Sequence, residues 1–210
     1  MFNLVKNLMK ERYNKQNNYL GIVHPGSNFK LNINIKKEFF LIYILRKAPW
    51  KGKDFFFKII NKNILLDKNV LIIDVDNLIH ENFSSNFTII KKIQPKEIEH
   101  YYHKSFFYLS TSENEGFGLP GLEAITCGCM PIMPKHGGHL DYIKSNNSIT
   151  YNLKDEQSFN NAIIHAETLI KNKSKIEQFQ NECIKISNKF NWDNTTRMFD
   201  LLLKNNGYKR

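Results

Sequence analysis

One segment organises the rest of this 210-residue chain: Ser110-Thr-Ser-Glu-Asn-Glu-Gly-Phe-Gly-Leu-Pro-Gly-Leu-Glu-Ala-Ile-Thr-Cys-Gly128. Residues 106–109, just before it, form a short apolar run that is typical of a buried parallel strand. Residues 119–126 predict a helix, because a proline fits its first turn and a glycine follows its end. Between them, Gly116 and Gly118 allow close approach of a ligand and positive φ. Such a turn directs backbone N–H groups and the positive helix end to one place, which predicts an anion site.

Two carboxylates flank this turn. Glu115 lies within it, and Glu123 lies eight residues later, within about the first turn of the predicted helix. Both can reach the crevice at the carboxyl end of a parallel sheet, where open α/β folds bind ligands. Carboxylates beside a phosphate-binding turn suit a neutral, polyhydroxylated group, because they accept hydrogen bonds from its hydroxyls. These residue types therefore point to a nucleotide-sugar.

Two cations follow the first predicted strand. The continuous apolar run Phe39–Leu45 predicts a buried strand, and residues 54–60 predict a helix. Arg46 lies at the carboxyl end of that strand, and Lys51 lies at or before the helix start. Alone, they would be read as two solvated surface cations in a lysine-rich chain. At the same sheet edge as Glu115, a guanidinium and an ammonium would bind a diphosphate.

Together these motifs resemble family 4 glycosyltransferases, which have the GT-B fold. The segment from Glu115 to Glu123 is similar to that family's E-x7-E segment. Arg46, Lys51 and the glycine after Lys51 are similar to its Arg-x4-Lys-Gly signature. Leu45 departs from the pattern, because the family usually has glycine before the arginine. The resemblance covers about residues 20–203. It implies one half of a GT-B fold, with an open parallel Rossmann-like sheet and helices on both faces.

The resemblance also implies roles for the site residues. Arg46 and Lys51 would bind the donor's phosphates and neutralise the leaving diphosphate, so that neither a metal nor a cofactor is needed. Glu115 and the Gly-Phe-Gly backbone would hold the donor sugar, Glu123 the ribose hydroxyls, and Ile93 would border the nucleobase. The catalytic residues are then Arg46, Lys51 and Glu115. The donor-binding residues are Arg46, Lys51, Ile93, Glu115, Gly116, Phe117, Gly118, Leu119 and Glu123.

The resemblance divides the chain into three parts. Residues 1–36 combine a short basic amphipathic helix over 1–16 with a strand and turn at 21–26 that is similar to an interdomain linker. Residues 37–190 are expected to form the donor-binding Rossmann-like domain. Residues 191–210 are expected to form a last helix, which packs back toward a first domain that is missing from this sequence.

Further segments complete the predicted sheet and its helices. Apolar runs predict strands at residues 69–75, at 87–90 together with Ile93, and at 130–133. Pro95 is expected to open a helix, and the pattern is helical again from Asp155 onward. Two apolar stripes there predict core faces. They consist of Phe159, Ala162, Ile163, Ala166, Leu169 and Ile170, and of Ile176, Phe179, Cys183 and Ile186.

Three other patterns suggest chemistry or capping. Asp74 and Asp76 resemble the metal-binding D-x-D of a different glycosyltransferase fold, but here they close a hydrophobic strand, so we do not predict a metal site. His136 and His139 lie in a second glycine-bearing turn that would close over the donor, and we expect both to point to solvent. Asp141 is expected to cap the next helix.

Composition bounds the class of protein. With 13% aromatic residues, the chain can bury a real core and is not disordered. A net charge of +10 suits anionic partners such as nucleotide diphosphates or acidic lipids, and equally suits a solvated, lysine-rich surface. Cys127, Cys129 and Cys183 form no disulfide framework, which predicts buried reduced thiols and a cytoplasmic location. No run reaches transmembrane length, so any contact with the inner face of a membrane would be peripheral.

The sequence therefore predicts a glycosyltransferase of glycan or polysaccharide biosynthesis. A hexosyl group would pass from a nucleotide-diphospho-sugar to a hydroxyl of a glycan or lipid-linked acceptor, with retention of configuration by resemblance. The competing interpretation is a non-catalytic nucleotide-sugar-binding subunit, or an inactive remnant, that needs a partner subunit to supply the acceptor domain. Nucleic-acid binding rests on charge alone and is not favoured, because the lysines are scattered rather than striped.

Overall fold

The computed structural model describes residues 21–80 and 83–206. These residues form one six-stranded sheet in which every neighbouring pair of strands is parallel. The strands are β1 (Phe39–Leu45), β2 (Val70–Asp74), β3 (Phe87–Lys91), β4 (Ser105–Leu109), β5 (Met130–Pro134) and β6 (Ile149–Tyr151). The prediction of an open parallel α/β sheet is confirmed.

Six α-helices and three 3-10 segments connect or follow these strands in the described part of the chain. The α-helices are α1 (Lys53–Asn61), α2 (Ile98–Lys104), α3 (Leu119–Thr126), α4 (Glu156–Ile170), α5 (Lys173–Lys189) and α6 (Trp192–Asn205). The 3-10 segments are Pro49–Lys51, Pro95–Glu97 and Gly138–Asp141. Helices α4, α5 and α6 follow Asp155, Asn172 and Asn191, whose side chains accept a backbone N–H of the first turn and so cap each helix.

The central strands form the core because they are apolar on both faces, as a parallel sheet covered by helices requires. All five residues of β2 are buried. In β1, the ring of Tyr43 stacks on Phe56 of α1 with centroids 3.6 Å apart. The predicted core faces of α4 and α5 are buried at Phe159, Ala162, Ile163, Ala166, Phe179, Cys183 and Ile186, and the three cysteines are buried free thiols.

The direction of strand addition reverses between β1 and β4. The order across the sheet is β3-β2-β1-β4-β5-β6, so the chain builds outward from β1 through β2 to β3 and then returns to the other side of β1. Loops that leave two neighbouring strands in opposite directions open a crevice at the carboxyl edge of the sheet. The loops after β1 and β4 carry the two motifs identified in the sequence.

The strand predicted at residues 21–26 is wrong, because this segment has irregular backbone. It is held by the C-terminal helices instead of by a strand. The hydroxyl of Thr195 donates to the carbonyl oxygen of His24 (2.9 Å), and the N–H of Ser27 donates to the carbonyl oxygen of Phe190 (2.8 Å). The amphipathic helix predicted at residues 1–16 lies outside the described residues.

Two predictions near the end of the sheet also fail. Asp141 does not cap a helix, because it ends the 3-10 segment Gly138–Asp141 and is followed by turns and irregular backbone as far as residue 148. Strand β6 comes next and was not predicted. It has only three residues, too few to show a pattern by sequence alone.

The last helix, expected within residues 191–210, begins at Trp192. None of the fourteen residues of α6 is buried. Its apolar residues Trp192, Met198, Phe199 and Leu201 are 41–53% exposed. No helix in residues 21–80 and 83–206 is both long enough and apolar enough to cross a membrane.

Candidate functional site

The candidate site lies in the crevice between the loops that follow β1 and β4. A cavity of about 240 Å³ opens there and is called the crevice cavity below. Arg46, Trp50 and Lys51 line it on one side, and residues 108–112 line it on the other. The first turn of α3 contributes Pro120. Two segments that are far apart in the sequence thus meet at the point where the strand order reverses.

Lys51 and Glu115 form a half-buried ion pair beside this cavity. Lys51 Nζ donates to Glu115 Oε1 over 2.5 Å, and 27% and 11% of the two side chains are exposed. An ammonium group carries three N–H donors, so this bond leaves Lys51 two donors for an anionic ligand. The structure therefore joins the cation predicted to bind phosphate to the carboxylate predicted to bind the sugar.

Backbone contacts that sequence reasoning missed fix the loop carrying Lys51. Gly52 takes φ +70°, and a Cβ there would overlap the carbonyl oxygen of Thr111. The Thr111 hydroxyl donates to the carbonyl oxygen of Lys51 (2.9 Å), and the N–H of Glu113 donates to that of Trp50 (2.7 Å). The sequence signal for this packing was the glycine after Lys51, because only glycine allows both the positive φ and the close approach to Thr111.

Two glycine turns pack together at the start of α3. Gly118 takes φ +79° before the helix, and its carbonyl oxygen accepts the Tyr142 hydroxyl over 2.5 Å. The N–H of Gly138 donates to the carbonyl oxygen of Glu115 (2.9 Å). A Cβ at Gly138 would overlap the carbonyl oxygen of Gly116. A Cβ added at Gly116 itself would meet no atom within 4 Å. Glycine at position 116 is therefore not required by packing within the described chain.

Glu123 is half-buried on α3, five residues into the helix. Burial raises the pKa of its carboxyl to about 7. The hydroxyls of Tyr102, Tyr108 and Tyr142 lie close enough for its charge to raise their pKa values further. In residues 21–80 and 83–206, no ion pair joins Glu123 to a cation. Glu123 does not line the crevice cavity, and the structure does not join it to the Lys51–Glu115 pair.

The two aspartates at the end of β2 have structural contacts. Asp74 is fully buried and accepts two backbone N–H groups of the following turn, at 2.9 and 2.8 Å. Asp76 accepts the N–H of Lys47 (2.6 Å) and lies 3.3 Å from Nε of Arg46. Arg46 keeps half of its side chain exposed and lines the crevice cavity. Among the described residues, neither aspartate belongs to a cluster of three metal-ligating side chains.

The remaining predicted donor-binding residues differ in what they can offer a ligand. Phe117 is buried against Tyr142 and Phe190, with ring centroids 5.2 and 6.0 Å apart, so only its backbone can face the crevice. Leu119 is 36% exposed at the start of α3. Ile93 is half-buried after β3, which β2 separates from β1, and it does not line the crevice cavity.

The prediction that His136 and His139 point to solvent is wrong. His139 is fully buried, and its Nε2 donates to the carbonyl oxygen of Pro134 (2.8 Å). Burial lowers the pKa of His139, which favours the neutral ring. His136 is half-buried, and its Nε2 donates to the carbonyl oxygen of Glu113 (2.7 Å). Both rings therefore fix loops around the crevice.

Comparison with known sequences gives a family and a curated relative. The family model described as glycosyl transferases group 1 matches residues 27–186. The O-antigen chain mannosyltransferase RfbU of Salmonella typhimurium is 23% identical over 175 residues, which cover 79% of this chain and 49% of that protein. The chain thus spans about half the length of the curated relative it matches.

Solved structures show the same fold at low sequence identity. Sucrose-phosphate synthase from Thermosynechococcus elongatus superposes with a TM-score of 0.74 and 16% identity over 95% of this chain and 56% of that one. Anabaena Alr3699/HepE, solved in complex with UDP-glucose, gives a TM-score of 0.64 and 17% identity over 80% and 49% of the two chains. The structural neighbours are GT-B glycosyltransferases. At these identities the likeness concerns the fold alone.

Proposed function

The chain belongs to the glycosyl transferases group 1 family, and on that premise we propose that it is the donor-binding half of a hexosyltransferase that uses a nucleotide-diphospho-sugar. The observation that carries the proposal is the Lys51–Glu115 ion pair beside the crevice cavity, with Arg46 on the same wall. Open α/β sheets bind nucleotides in the crevice where the strand order reverses. Two cations and one carboxylate there match a diphosphate and a sugar.

In this proposal Arg46 and Lys51 bind the diphosphate. Arg46 is half-exposed and can turn its guanidinium from Asp76 toward a bidentate contact with phosphate oxygens. Lys51 is already oriented by Glu115 and has two N–H donors left for the ligand. Both cations would stabilise the negative charge that grows on the diphosphate as it leaves, so the transfer needs no metal ion.

The carboxylates would bind the neutral parts of the donor. Glu115, held by Lys51, has acceptor capacity left for sugar hydroxyls, and the open space beside Gly116 lets the sugar approach the backbone. Glu123 would accept the ribose hydroxyls. Ile93 lies too far across the sheet to line the crevice cavity, so the nucleobase would reach beyond that cavity toward β3.

The reaction we propose is hexosyl transfer to a hydroxyl of a glycan or lipid-linked acceptor, with retention of configuration, as in family 4 glycosyltransferases. The curated relative is named a mannosyltransferase of the O-antigen chain, and one structural neighbour was solved with UDP-glucose, which supports a nucleotide-sugar donor. We place the protein in the cytoplasm, with peripheral contact at the inner face of the membrane. The acceptor would bind to a further domain or a partner subunit, because the chain spans about half of that relative.

The test is a thermal-shift and calorimetric screen with UDP-, GDP- and dTDP-sugars. A donor at 100 times its Kd should stabilise the fold by about 2.7 kcal/mol. Lys51→Met should abolish this effect, whereas Lys175→Met, which removes an exposed lysine on α5, should retain it. The proposal fails if no nucleotide-sugar stabilises the wild type, or if one stabilises the wild type and Lys51→Met equally.

A further inference from the structure

A cluster of metal-ligating side chains lies away from the crevice. Glu99, His103 and Cys127 each present one ligand atom, and these atoms all lie within 4.8 Å of one another. Glu99 and His103 are four residues apart on α2, so both side chains lie on one face of that helix. Cys127 directly follows the last residue of α3. None of the three lines the crevice cavity.

The backbone of Lys30 contacts two members of the cluster. Its N–H donates to Glu99 Oε1 (3.1 Å), and its carbonyl oxygen lies 2.8 Å from His103 Nε2. A carbonyl oxygen can only accept, so Nε2 donates this hydrogen bond, and Nδ1 is the ring nitrogen that remains for a metal ion. Donation from one ring nitrogen to a carbonyl is the usual arrangement of a histidine that ligates a metal through its other nitrogen.

We propose that Glu99, His103 and Cys127 form a zinc site that joins α2 to the end of α3. A thiol, an imidazole and a carboxylate are all ligands that Zn²⁺ accepts. Ligand bonds of about 2.0–2.3 Å place the ligand atoms of one zinc ion roughly 3–4 Å apart, so side-chain movement on the order of 1 Å assembles the site. On binding, the thiol proton passes to solvent and Sγ bonds the ion as a thiolate.

Burial at this cluster leaves one side open for a solvent molecule as the fourth ligand of the ion. His103 and Cys127 are 5% and 1% exposed, whereas Glu99 is only half-buried, so solvent can reach the ion from the side of Glu99. The thiolate and the carboxylate together balance the two positive charges of Zn²⁺. The Lys37 ammonium, whose charge acts on Cys127, donates to the carbonyl oxygens of Ser105 and Gly128 (2.8 Å each).

The experiment titrates the full chain, stripped with chelator, first with Co²⁺ and then with Zn²⁺. Cobalt bound by a thiolate gives an intense near-ultraviolet charge-transfer band, which we expect to saturate at one equivalent and to disappear when Zn²⁺ displaces the cobalt. Cys127→Ser should lose the band. Cys129→Ser, which changes another buried free thiol two residues away, should keep it. Because loss of a group that hydrogen-bonds a metal ligand already costs about 10–100-fold in affinity, loss of a ligand in Cys127→Ser should weaken zinc binding by roughly 100-fold or more.

A second variant keeps the inference testable if Cys127→Ser does not fold. Glu99 is half-buried, so Glu99→Gln should leave the circular dichroism spectrum unchanged and still weaken Zn²⁺ binding, measured by calorimetry. The zinc site is refuted if wild-type protein gives no cobalt–thiolate band, if Cys127→Ser folds and keeps the band, or if Glu99→Gln binds Zn²⁺ as tightly as the wild type. None of these readouts depends on donor binding, so the two proposals fail separately.

Discussion

The Lys51–Glu115 pair should contribute to stability as well as to binding. Removing one partner leaves a half-buried charge unpaired, so Lys51→Met should lower the free energy of unfolding by about 1–3 kcal/mol. Adding Glu115→Gln should recover part of that loss, because the unpaired charge disappears. Urea denaturation of both single variants and the double variant gives the coupling energy. A coupling below about 0.5 kcal/mol would show that the two side chains act independently.

Glu123 should make stability depend on pH. Its pKa is about 7 in the folded protein against 4.5 for an unperturbed glutamate, because burial disfavours the charged form. Between these values the unfolded chain ionises while the fold keeps the proton, so the free energy of unfolding falls as pH rises from about 4.5 to about 7.

Glu123→Gln removes this group, so it should be more stable than the wild type above pH 7, by up to about 3 kcal/mol, with the difference vanishing near pH 4. Thermal denaturation across this pH range measures the effect. Glu177→Gln, at an exposed position of α5, is the control and should follow the wild-type curve. If the melting temperatures of the wild type and Glu123→Gln changed with pH in the same way, the pKa assigned to Glu123 would be wrong.

Sequence reasoning singled out two charged residues that the fold joins, but it misjudged a buried histidine. Lys51 and Glu115 stood out because their spacing matches a family signature, and the fold joins them. His139 was misassigned to solvent, because a single sequence does not show that its ring is enclosed and bound to the carbonyl oxygen of Pro134. The contacts of Thr111 could not be predicted either, because they depend on which segments meet in the folded chain.

Alanine substitutions at two glycines of the crevice loops can distinguish the effect of loop packing from the effect of ligand approach. Gly52→Ala places a Cβ against the carbonyl oxygen of Thr111 at φ +70°, so it should destabilise the fold by about 2 kcal/mol or more and separate the loops after β1 and β4. Gly116→Ala meets open space without a positive φ, so the fold should keep its stability within about 1 kcal/mol.

The same pair should differ in donor binding. If the donor sugar lies against the backbone of Gly116, the added methyl group should weaken donor affinity at unchanged stability. Thermal denaturation and calorimetry on both variants give the two readouts. Gly116→Ala with wild-type donor affinity would move the sugar away from this turn, and a stable Gly52→Ala would mean that the two loops are not tightly packed.

Secondary structure was predictable wherever the local pattern was strong. The bounds of β1 and α3 match the prediction residue for residue, because a seven-residue apolar run and a helix between a glycine turn and a glycine exit are strong signals. β6 is too short to carry a pattern. Residues 21–26 were predicted to contain a strand. Instead, His24 and the neighbouring Ser27 form hydrogen bonds with Thr195 and Phe190, near the other end of the chain. Such long-range contacts do not show in a local sequence pattern.

Donor binding and metal binding should be separable in the whole molecule. Arg46 and Lys51 supply positive charge in the crevice, whereas the proposed zinc ligands Glu99, His103 and Cys127 do not line it. Chelation with EDTA should therefore lower the melting temperature and leave donor affinity unchanged. Calorimetry with donor, before and after EDTA and again after adding Mn²⁺, measures this. If EDTA abolished donor binding and Mn²⁺ restored it, a metal ion would have to bind at the diphosphate. Asp74 and Asp76 would then be its candidate ligands.

The purified chain should bind donor but transfer sugar poorly to an acceptor. Its described residues form a single sheet, and the chain spans about half of a curated glycosyltransferase. Holding two reactants in the correct geometry can supply about 7–11 kcal/mol of the barrier, and one wall of a cleft cannot orient an acceptor hydroxyl. Helix α6 leaves Phe199 about half-exposed together with three other large apolar side chains, as expected of a surface that a further domain would cover.

Two assays on the same preparation test this expectation. Calorimetry should detect the donor, while chromatography of the products should show slow hydrolysis of the donor to free sugar and little transfer to glycan or lipid-linked acceptors. Lys51→Met is the control, because it should suppress both binding and hydrolysis. Efficient transfer by the purified chain, with no second protein present, would contradict the prediction. It would place the acceptor site within these 210 residues, beside the crevice cavity that Arg46 and Lys51 line.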